Sequence, residues 1–166
     1  MKRVGVALEN LALSDSGVAA TNLLGRSAFN RYYYASFLVT REMLAKLDPK
    51  WKTTPHSELP KRLRETIRKP VKKELDRQAR SELISLGEKS RLLSNLQLSS
   101  ENLAELLERA YDARVIADYT PEEPVVIAGK VISLRSHKLT TAREWPDRAH
   151  AYCKTILRVW EDVGLA

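Results

Sequence analysis

Few residues of this 166-residue chain have the types and spacing that catalysis needs. No strand-like segment leads into a Gly-rich phosphate loop, and no Ser or Cys nucleophile stands beside a histidine in a recognisable catalytic order. Cys153 lies one position from the apolar stripe of the last predicted helix, so we expect an inert, buried thiol. With one cysteine and three scattered histidines, the sequence predicts no metal site, and nothing in it indicates a cofactor.

Positive charge is the strongest chemical signal in the sequence. Residues 50–91 carry 13 basic and 6 acidic side chains, which equals the net charge of +7 of the whole chain. Such a cluster attracts phosphate backbones or an acidic protein, whereas a solvated helix face is the simpler explanation. The candidate RNA-binding residues within it are Lys61, Arg62, Arg64, Arg68, Lys69, Lys72 and Lys73.

Composition limits the class of protein. Hydrophobic residues make up 43% and charged residues 30% of the chain, which excludes a disordered tail. No apolar run approaches the roughly 20 residues that span a bilayer. Glu9 also comes too early for a secretory signal. We therefore expect a single soluble domain over residues 1–166, located in the cytoplasm, with no membrane partner.

Apolar periodicity predicts helices in the first third of the chain. A short N-terminal helix is expected to end in a turn at residues 15–17, and a second short apolar stretch leads to Gly25. From Ser27 to about Leu47, apolar residues occupy two adjoining stripes. This pattern is typical of the central helix of a bundle, which neighbours cover on several sides.

A basic helical arm is expected over residues 58–91, with Pro60 in its first turn and a break or kink at Pro70. Ser99-Ser100-Glu101 has the pattern of a helix N-terminus. Thr120-Pro121 is expected to end the helix that follows.

The C-terminal part contains the one segment that does not have a clear helical pattern. Residues 120–140 are expected to form an irregular or hairpin insertion, because residues 125–134 suit either a hairpin turning at Gly129-Lys130 or a short buried helix. Thr141 and Glu144 have the spacing of a capping box for a final helix, with Pro146 in its first turn.

Three segments together resemble the HEPN domain family. GRSAFNRYYYASF, at residues 25–37, is similar to the signature of the HEPN core helix. PHSEL, at residues 55–59, resembles the His-Ser segment that follows this helix in many members. ARVIADYTP, at residues 113–121, looks like the family's Arg-x-x-Ala-Asp-Tyr ending.

This resemblance implies an all-α fold, an antiparallel helical bundle of HEPN type that is often dimeric and binds or cleaves RNA. Several HEPN proteins act as toxins beside a nucleotidyltransferase antitoxin or within defence systems. The resemblance also implies an ion pair between Arg31 and Asp118 inside the bundle. The residues of the core and dimer motif are Arg31, Tyr32, Tyr33 and Phe37.

HEPN nucleases place a histidine shortly after an arginine, and the matching place here has none. Cleavage without a metal needs an imidazole that exchanges protons near neutral pH, whereas an aspartate repels phosphate and is a poor general acid. Arg143 and His150 match the spacing elsewhere, but they lie two turns apart on the last helix and are expected to be a surface pair. The weak catalytic candidates are Arg114, Asp118, Tyr119, His56, Arg143 and His150.

The missing histidine favours an RNA-binding protein that is non-catalytic or accessory, within a toxin–antitoxin or antiviral defence module. The expected partners are RNA, a second copy of the chain, and a nucleotidyltransferase or another defence protein. Two alternatives stay open. One is an active, metal-independent endoribonuclease with an atypical site, and the other is an adaptor that docks a larger defence enzyme.

Overall fold

The computed structural model describes residues 1–14 and 17–165, so two residues of the turn expected at 15–17 lie outside the described residues. Three short strands form an antiparallel sheet, β1 (Val125–Ala128), β2 (Val131–Leu134) and β3 (His137–Lys138). The predicted fold class, all-α with a short hairpin, is confirmed. The helices are α1 (Lys2–Ser14), α2 (Val18–Leu47), α3 (Leu59–Lys61), α4 (Arg68–Arg80), α5 (Leu86–Tyr119) and α6 (Leu139–Asp162).

The chain divides into two compact units. The first unit contains Met1–Leu38 and Leu107–Arg148, and the second contains Val39–Leu106 and Ala149–Ala166. Helices α2, α5 and α6 contribute residues to both units. Within the described part of the chain, no helix has the length and apolar character needed to cross a bilayer.

In the first unit, α1 packs through one face that carries two small residues and a glutamate. Gly5, Glu9 and Ala12 are its buried positions, spaced so that they share one side of the helix. The Tyr32 ring lies against Gly5, where a Cβ atom would be 2.7 Å from Tyr32 Cε1. The missing side chain therefore allows the Tyr32 ring to sit directly against α1.

Helix α2 runs without interruption through Gly25, so the short apolar stretch before Gly25 and the segment from Ser27 belong to one helix. The sheet packs against this point, and a Cβ atom on Gly25 would lie 3.0 Å from Val125 Cγ1 and 3.4 Å from Ile132 Cγ2. The glycine makes room for the sheet instead of ending a helix.

The two apolar stripes predicted for α2 are largely buried. Tyr33 and Phe37 are 2% and 4% exposed. The rest of the chain therefore covers most of the two stripes. The predicted stripe residues that are buried are Ala28, Phe29, Tyr32, Tyr33, Ala35, Phe37, Met43 and Leu44.

Residues 125–134 form a hairpin, which is one of the two structures that the sequence left open. Ala128 pairs with Val131 at the end of the β1–β2 ladder, and Gly129 and Lys130 form the turn. Gly129 has a φ of 62°, a backbone conformation that glycine adopts without steric cost. β3 then pairs with β2 through Leu134 and His137.

In the second unit, the basic segment is divided into short helical pieces. Pro60 lies in the first turn of α3 as predicted. A π-helical turn over Arg62–Thr66 interrupts the helix before Pro70, which then occupies the tolerant first turn of α4. Because α4 ends at Arg80 and α5 begins only at Leu86, residues 58–91 are not one continuous helical arm.

Helix α5 continues through Ser99 and Ser100, so the N-terminus predicted there is wrong. Both serines are buried, and the buried leucines Leu92, Leu96 and Leu103 stay in helical phase on either side of them. The continuous apolar stripe outweighs the local capping preference of serine. Helix α5 ends at Tyr119, as Thr120-Pro121 predicted.

Helix α6 follows β3 directly and begins at Leu139, ahead of the predicted capping box. Thr141 therefore lies within the helix, and Pro146 stands inside it instead of in its first turn. The apolar face predicted for α6 is confirmed by the burial of Ala149, Ile156 and Val159.

Candidate nucleic-acid interface

Helix α4 has two opposite faces of contrasting chemistry. Val71 and Leu75 are fully buried on one side. The other side carries five polar residues. Four of them follow the first by three, four, seven and eleven positions, which places all five in one stripe along the helix. We call this stripe the α4 basic face, and it consists of Lys69, Lys72, Lys73, Asp76 and Arg80.

The α4 basic face lines an open depression of about 300 Å³. Four of its five side chains are cations, and Asp76 is the one acid. Asp76 accepts from Lys72 Nζ at 2.9 Å and pairs with Lys89 Nζ at 2.6 Å. Among the described residues, Lys69, Lys73 and Arg80 form no ion pair, so their charges are available to a ligand.

Two carboxylates on α4 stay ionised in acid because of their cationic neighbours. Hydrogen bonds from Lys89 and Lys72 lower the pKa of Asp76 to about 2. Bonds from Arg77 and Gln78 lower the pKa of Glu74 to about 2. The carboxylates of Asp76 and Glu74 therefore keep their negative charge over the ordinary pH range.

The other predicted RNA-binding residues lie in different environments. Lys61 and Arg62 line a second open depression of about 360 Å³ together with Glu58 and Thr66. Arg62 also places its guanidinium 5.4 Å from the centre of the Trp51 ring. Arg64 instead pairs with Glu101 at 2.7 Å.

Arg68 is exposed on the first turn of α4 and does not line the depression. The structure therefore places Lys69, Lys72 and Lys73 of the predicted set on one face, and it adds Arg80, which the sequence analysis did not select. Arg80 follows Lys73 by seven residues, so helical spacing alone could have found it.

The residues that carry the HEPN-like ending form a small cluster at the end of α5. Arg114 Nε lies 2.8 Å from Asp118 Oδ2, and its guanidinium lies 5.1 Å from the centre of the Tyr119 ring. Asn30 donates a hydrogen bond to Asp118. This arrangement joins a cation, a carboxylate and a phenol, and within the described part of the chain no hydrogen bond or ion pair joins a histidine to them.

The ion pair expected between Arg31 and Asp118 is wrong. Arg31 places its guanidinium 5.7 Å from the centre of the Tyr34 ring and contacts Met1 Sδ, whereas Asp118 is held by Arg114 and Asn30. One residue along a helix rotates the side chain by about 100°, so Asn30 reaches Asp118 and its neighbour Arg31 does not.

The motif tyrosines have packing roles. Tyr33 stacks on Phe37 with ring centres 6.2 Å apart and contacts Tyr111 at 5.8 Å. Burial raises the pKa of the Tyr33 phenol above its ordinary value. Tyr32 donates a hydrogen bond of 2.6 Å to Glu9, and burial, followed by this bond, raises the pKa of its phenol.

Arg143 belongs to a buried polar network. Its guanidinium donates from Nε and Nη2 to the two carboxylate oxygens of Glu9 at 3.0 and 2.5 Å. The Glu9 side chain is 2% exposed, and Tyr32 is its third contact. The carboxylate of Glu9 joins α1 to the start of α6, an interaction across 134 residues that sequence spacing does not reveal.

The remaining candidate histidines, His56 and His150, lie on different elements of the fold. His56 lies in a 3₁₀ turn over His56–Glu58. His150 lines a cleft of about 160 Å³ that also includes Met43, Cys153 and Lys154. Cys153 is 3% exposed, as predicted, and burial raises the pKa of its thiol to about 12.

The sequence analysis did not select His137, although it is the histidine with a clear carboxylate partner. His137 Nε2 lies 2.7 Å from Asp112 Oδ2.

Arg26 was also overlooked, and it donates hydrogen bonds to the carbonyls of Ile116, Ala117 and Thr120 at 3.0 to 3.2 Å. The Arg26 guanidinium therefore joins α2 to the backbone carbonyls at the end of α5. Across residues 1–14 and 17–165, no group of three or more ligating side chains could hold a metal ion.

Comparison of the chain with protein-family models, with curated proteins and with solved structures gave no match.

Proposed function

We propose that this protein binds RNA through the α4 basic face and does not cleave it. The observation that carries the proposal is the depression lined by Lys69, Lys72, Lys73 and Arg80, whose positive charge Asp76 only partly balances. Each phosphate that such a face neutralises releases condensed counterions, which is the main driving force of sequence-independent binding. Together with the HEPN-like motifs, this face supports a non-catalytic or accessory RNA-binding protein of a toxin–antitoxin or defence module.

The test compares the salt dependence of RNA binding in two variants with the same loss of charge. The first changes Lys69, Lys72, Lys73 and Arg80 to Gln, which keeps helix propensity while removing the four cations. The second changes four exposed cations outside α4 to Gln, as a control: Lys130, Lys138, Lys154 and Arg158.

We expect the first variant to lose affinity for all RNAs alike and to reduce the slope of log K against log salt by about 3, since each phosphate contact contributes about 0.7 to 0.9. The control variant should keep most of the slope. An equal loss of affinity in the two variants would show that net charge, and not the α4 basic face, attracts RNA. Unchanged binding in both would favour the protein-adaptor alternative.

One observation favours the ribonuclease alternative. The Asp112 carboxylate contacts the His137 imidazole, and a carboxylate in this position orients the ring. Labelled RNA incubated with the protein and a chelator should stay uncut under the proposed function. Cleavage that disappears with His137→Ala, and persists with His56→Ala and His150→Ala, would assign the activity to His137 and overturn the non-catalytic proposal.

The proposal includes self-association or assembly with a nucleotidyltransferase or another defence protein. The described first unit exposes apolar side chains at Val4, Leu11, Val18 and Leu23, with 49% to 86% of each residue accessible. Light scattering should therefore show a species of about 38 kDa, twice the chain mass of 18.9 kDa. Leu11→Lys should return it to the monomer mass. A wild-type chain that stays at 18.9 kDa contradicts the homodimer.

A further inference from the structure

We infer that the ligand of the α4 basic face is double-stranded nucleic acid, held through its phosphates, and not a single strand. This inference rests on the proposed function and specifies its substrate class. It follows from three properties of the second unit: the absence of exposed stacking platforms, the straight line of charges, and the chemistry of the side chains that line the depression.

The first property concerns aromatic side chains. Proteins that hold single strands without sequence preference stack the bases on aromatic rings, which contributes about 1 to 3 kcal/mol per base. No Phe, Trp or Tyr occurs between residues 52 and 110, a range that contains the whole basic segment from α3 to α4. A single strand on the α4 basic face would therefore leave its bases without stacking partners from this segment.

The nearest aromatic residue in the sequence is already engaged. Trp51 is half-buried, and its ring packs edge-on against Trp160 with ring centres 6.1 Å apart. The Arg62 guanidinium lies over the same ring. A base would have to displace Arg62 before it could stack on Trp51.

The second property is the geometry of the charges. From Lys69 to Arg80 the face rises eleven residues along one helix, or about 16 Å. A duplex presents about one phosphate charge per 1.7 Å of its axis, which is twice the density of either strand alone. Its phosphates are also held in place, whereas a flexible single strand loses conformational entropy when it aligns with a straight helix.

The third property is the chemistry of the polar side chains that line the depression. The depression is lined by three ammonium groups, one guanidinium and one carboxylate, with no hydroxyl or amide side chain. Ammonium groups act as point charges toward phosphate, and recognition of RNA over DNA requires contacts with the 2′-hydroxyl. The face should therefore bind RNA and DNA duplexes with similar affinity and without sequence preference.

The experiment measures fluorescence anisotropy with three labelled probes that carry the same number of phosphates. The probes are an RNA duplex of about 20 base pairs, an unstructured RNA strand of about 40 nucleotides, and a DNA duplex of the same sequence as the RNA duplex. We expect the RNA duplex to bind at least about tenfold more tightly than the single strand. The DNA duplex should bind within about threefold of the RNA duplex. The variant with Gln at residues 69, 72, 73 and 80 should lose the preference for duplexes.

The outcomes separate this inference from the proposed function. Single-strand binding that equals or exceeds duplex binding, and that the four-Gln variant abolishes, would overturn the duplex inference and keep the α4 basic face as an RNA site. A tenfold preference for RNA over DNA duplex would overturn the claim that phosphates alone are recognised. Failure of the wild-type protein to bind any probe would overturn both the inference and the proposed function.

Discussion

Removal of the Arg143 guanidinium should destabilise the fold, because it leaves the buried carboxylate of Glu9, on a different helix, without its cation. Glu9 is 1% exposed, and Arg143 supplies two of its three hydrogen bonds. Breaking a buried ion pair by removing one partner costs about 3 to 5 kcal/mol, because the other charge stays buried without compensation. The Arg143 side chain is 44% exposed, so water screens it, and we expect Arg143→Ala to cost about 3 kcal/mol.

For a chain of this length, a loss of about 3 kcal/mol lowers Tm by about 6 to 12 °C. Thermal melts followed by circular dichroism measure this shift. Arg158→Ala is the matched control, because Arg158 is an exposed arginine on the same helix and forms no ion pair with any described residue. Native-state hydrogen exchange should also show faster exchange of the α1 amides in Arg143→Ala than in the control.

A double variant tests whether charge is the cause. In Glu9→Gln with Arg143→Ala, the neutral amide no longer needs a cation, so most of the stability lost in Arg143→Ala should return. Equal melting temperatures for Arg143→Ala and Arg158→Ala would refute the buried-pair argument. A double variant as unstable as Arg143→Ala would show that the packing of the arginine stem, and not its charge, stabilises the fold.

Three further predictions concern other parts of the structure. Arg26→Ala should destabilise the protein by about 1.5 to 3 kcal/mol in chemical denaturation. Arg26→Lys should restore less than half of the lost stability, because lysine lacks the planar fork that reaches several carbonyls. Full restoration of stability by lysine would contradict this role. Asp118→Ala should cost less than about 1 kcal/mol, because the Asp118 side chain is 27% exposed and its partner Arg114 keeps the Tyr119 contact; a Tm loss above about 4 °C would be inconsistent with this. Burial raises the pKa of Cys153 to about 12, so the unfolded thiol ionises first and stability should fall as pH rises from about 9 toward 12. The decline in unfolding free energy should be smaller in Cys153→Ala by up to about 1.4 kcal/mol per pH unit, and identical slopes would show that Cys153 does not contribute.

The elements with strong periodicity could be predicted from the sequence. The two stripes of α2, the end of α5 before Pro121 and the β1–β2 hairpin all depend on residues that are neighbours in the chain. Tertiary packing overrode local preference where the predictions failed. Gly25 is a contact point for the sheet, and a continuous apolar stripe carries α5 through Ser99 and Ser100.

The candidate site was predictable only in part. Lys69, Lys72 and Lys73 were found because cations are concentrated in one segment, and Arg80 continues their helical spacing. The hydrogen bond of Tyr32 with Glu9 depends on the packing of two different helices. The pair formed by His137 and Asp112 joins residues 25 positions apart, and no local pattern connects them.

Lysine acetylation footprinting with an RNA duplex tests the central claim most directly. The protein is treated with a limiting amount of an acetylating reagent, with and without RNA, and the modification of each lysine is measured by mass spectrometry. The account predicts that RNA protects Lys69, Lys72 and Lys73, while the modification of Lys130 and Lys138 stays unchanged. Equal protection of all five lysines, or protection of Lys130 and Lys138 alone, would contradict the assignment of RNA binding to the α4 basic face.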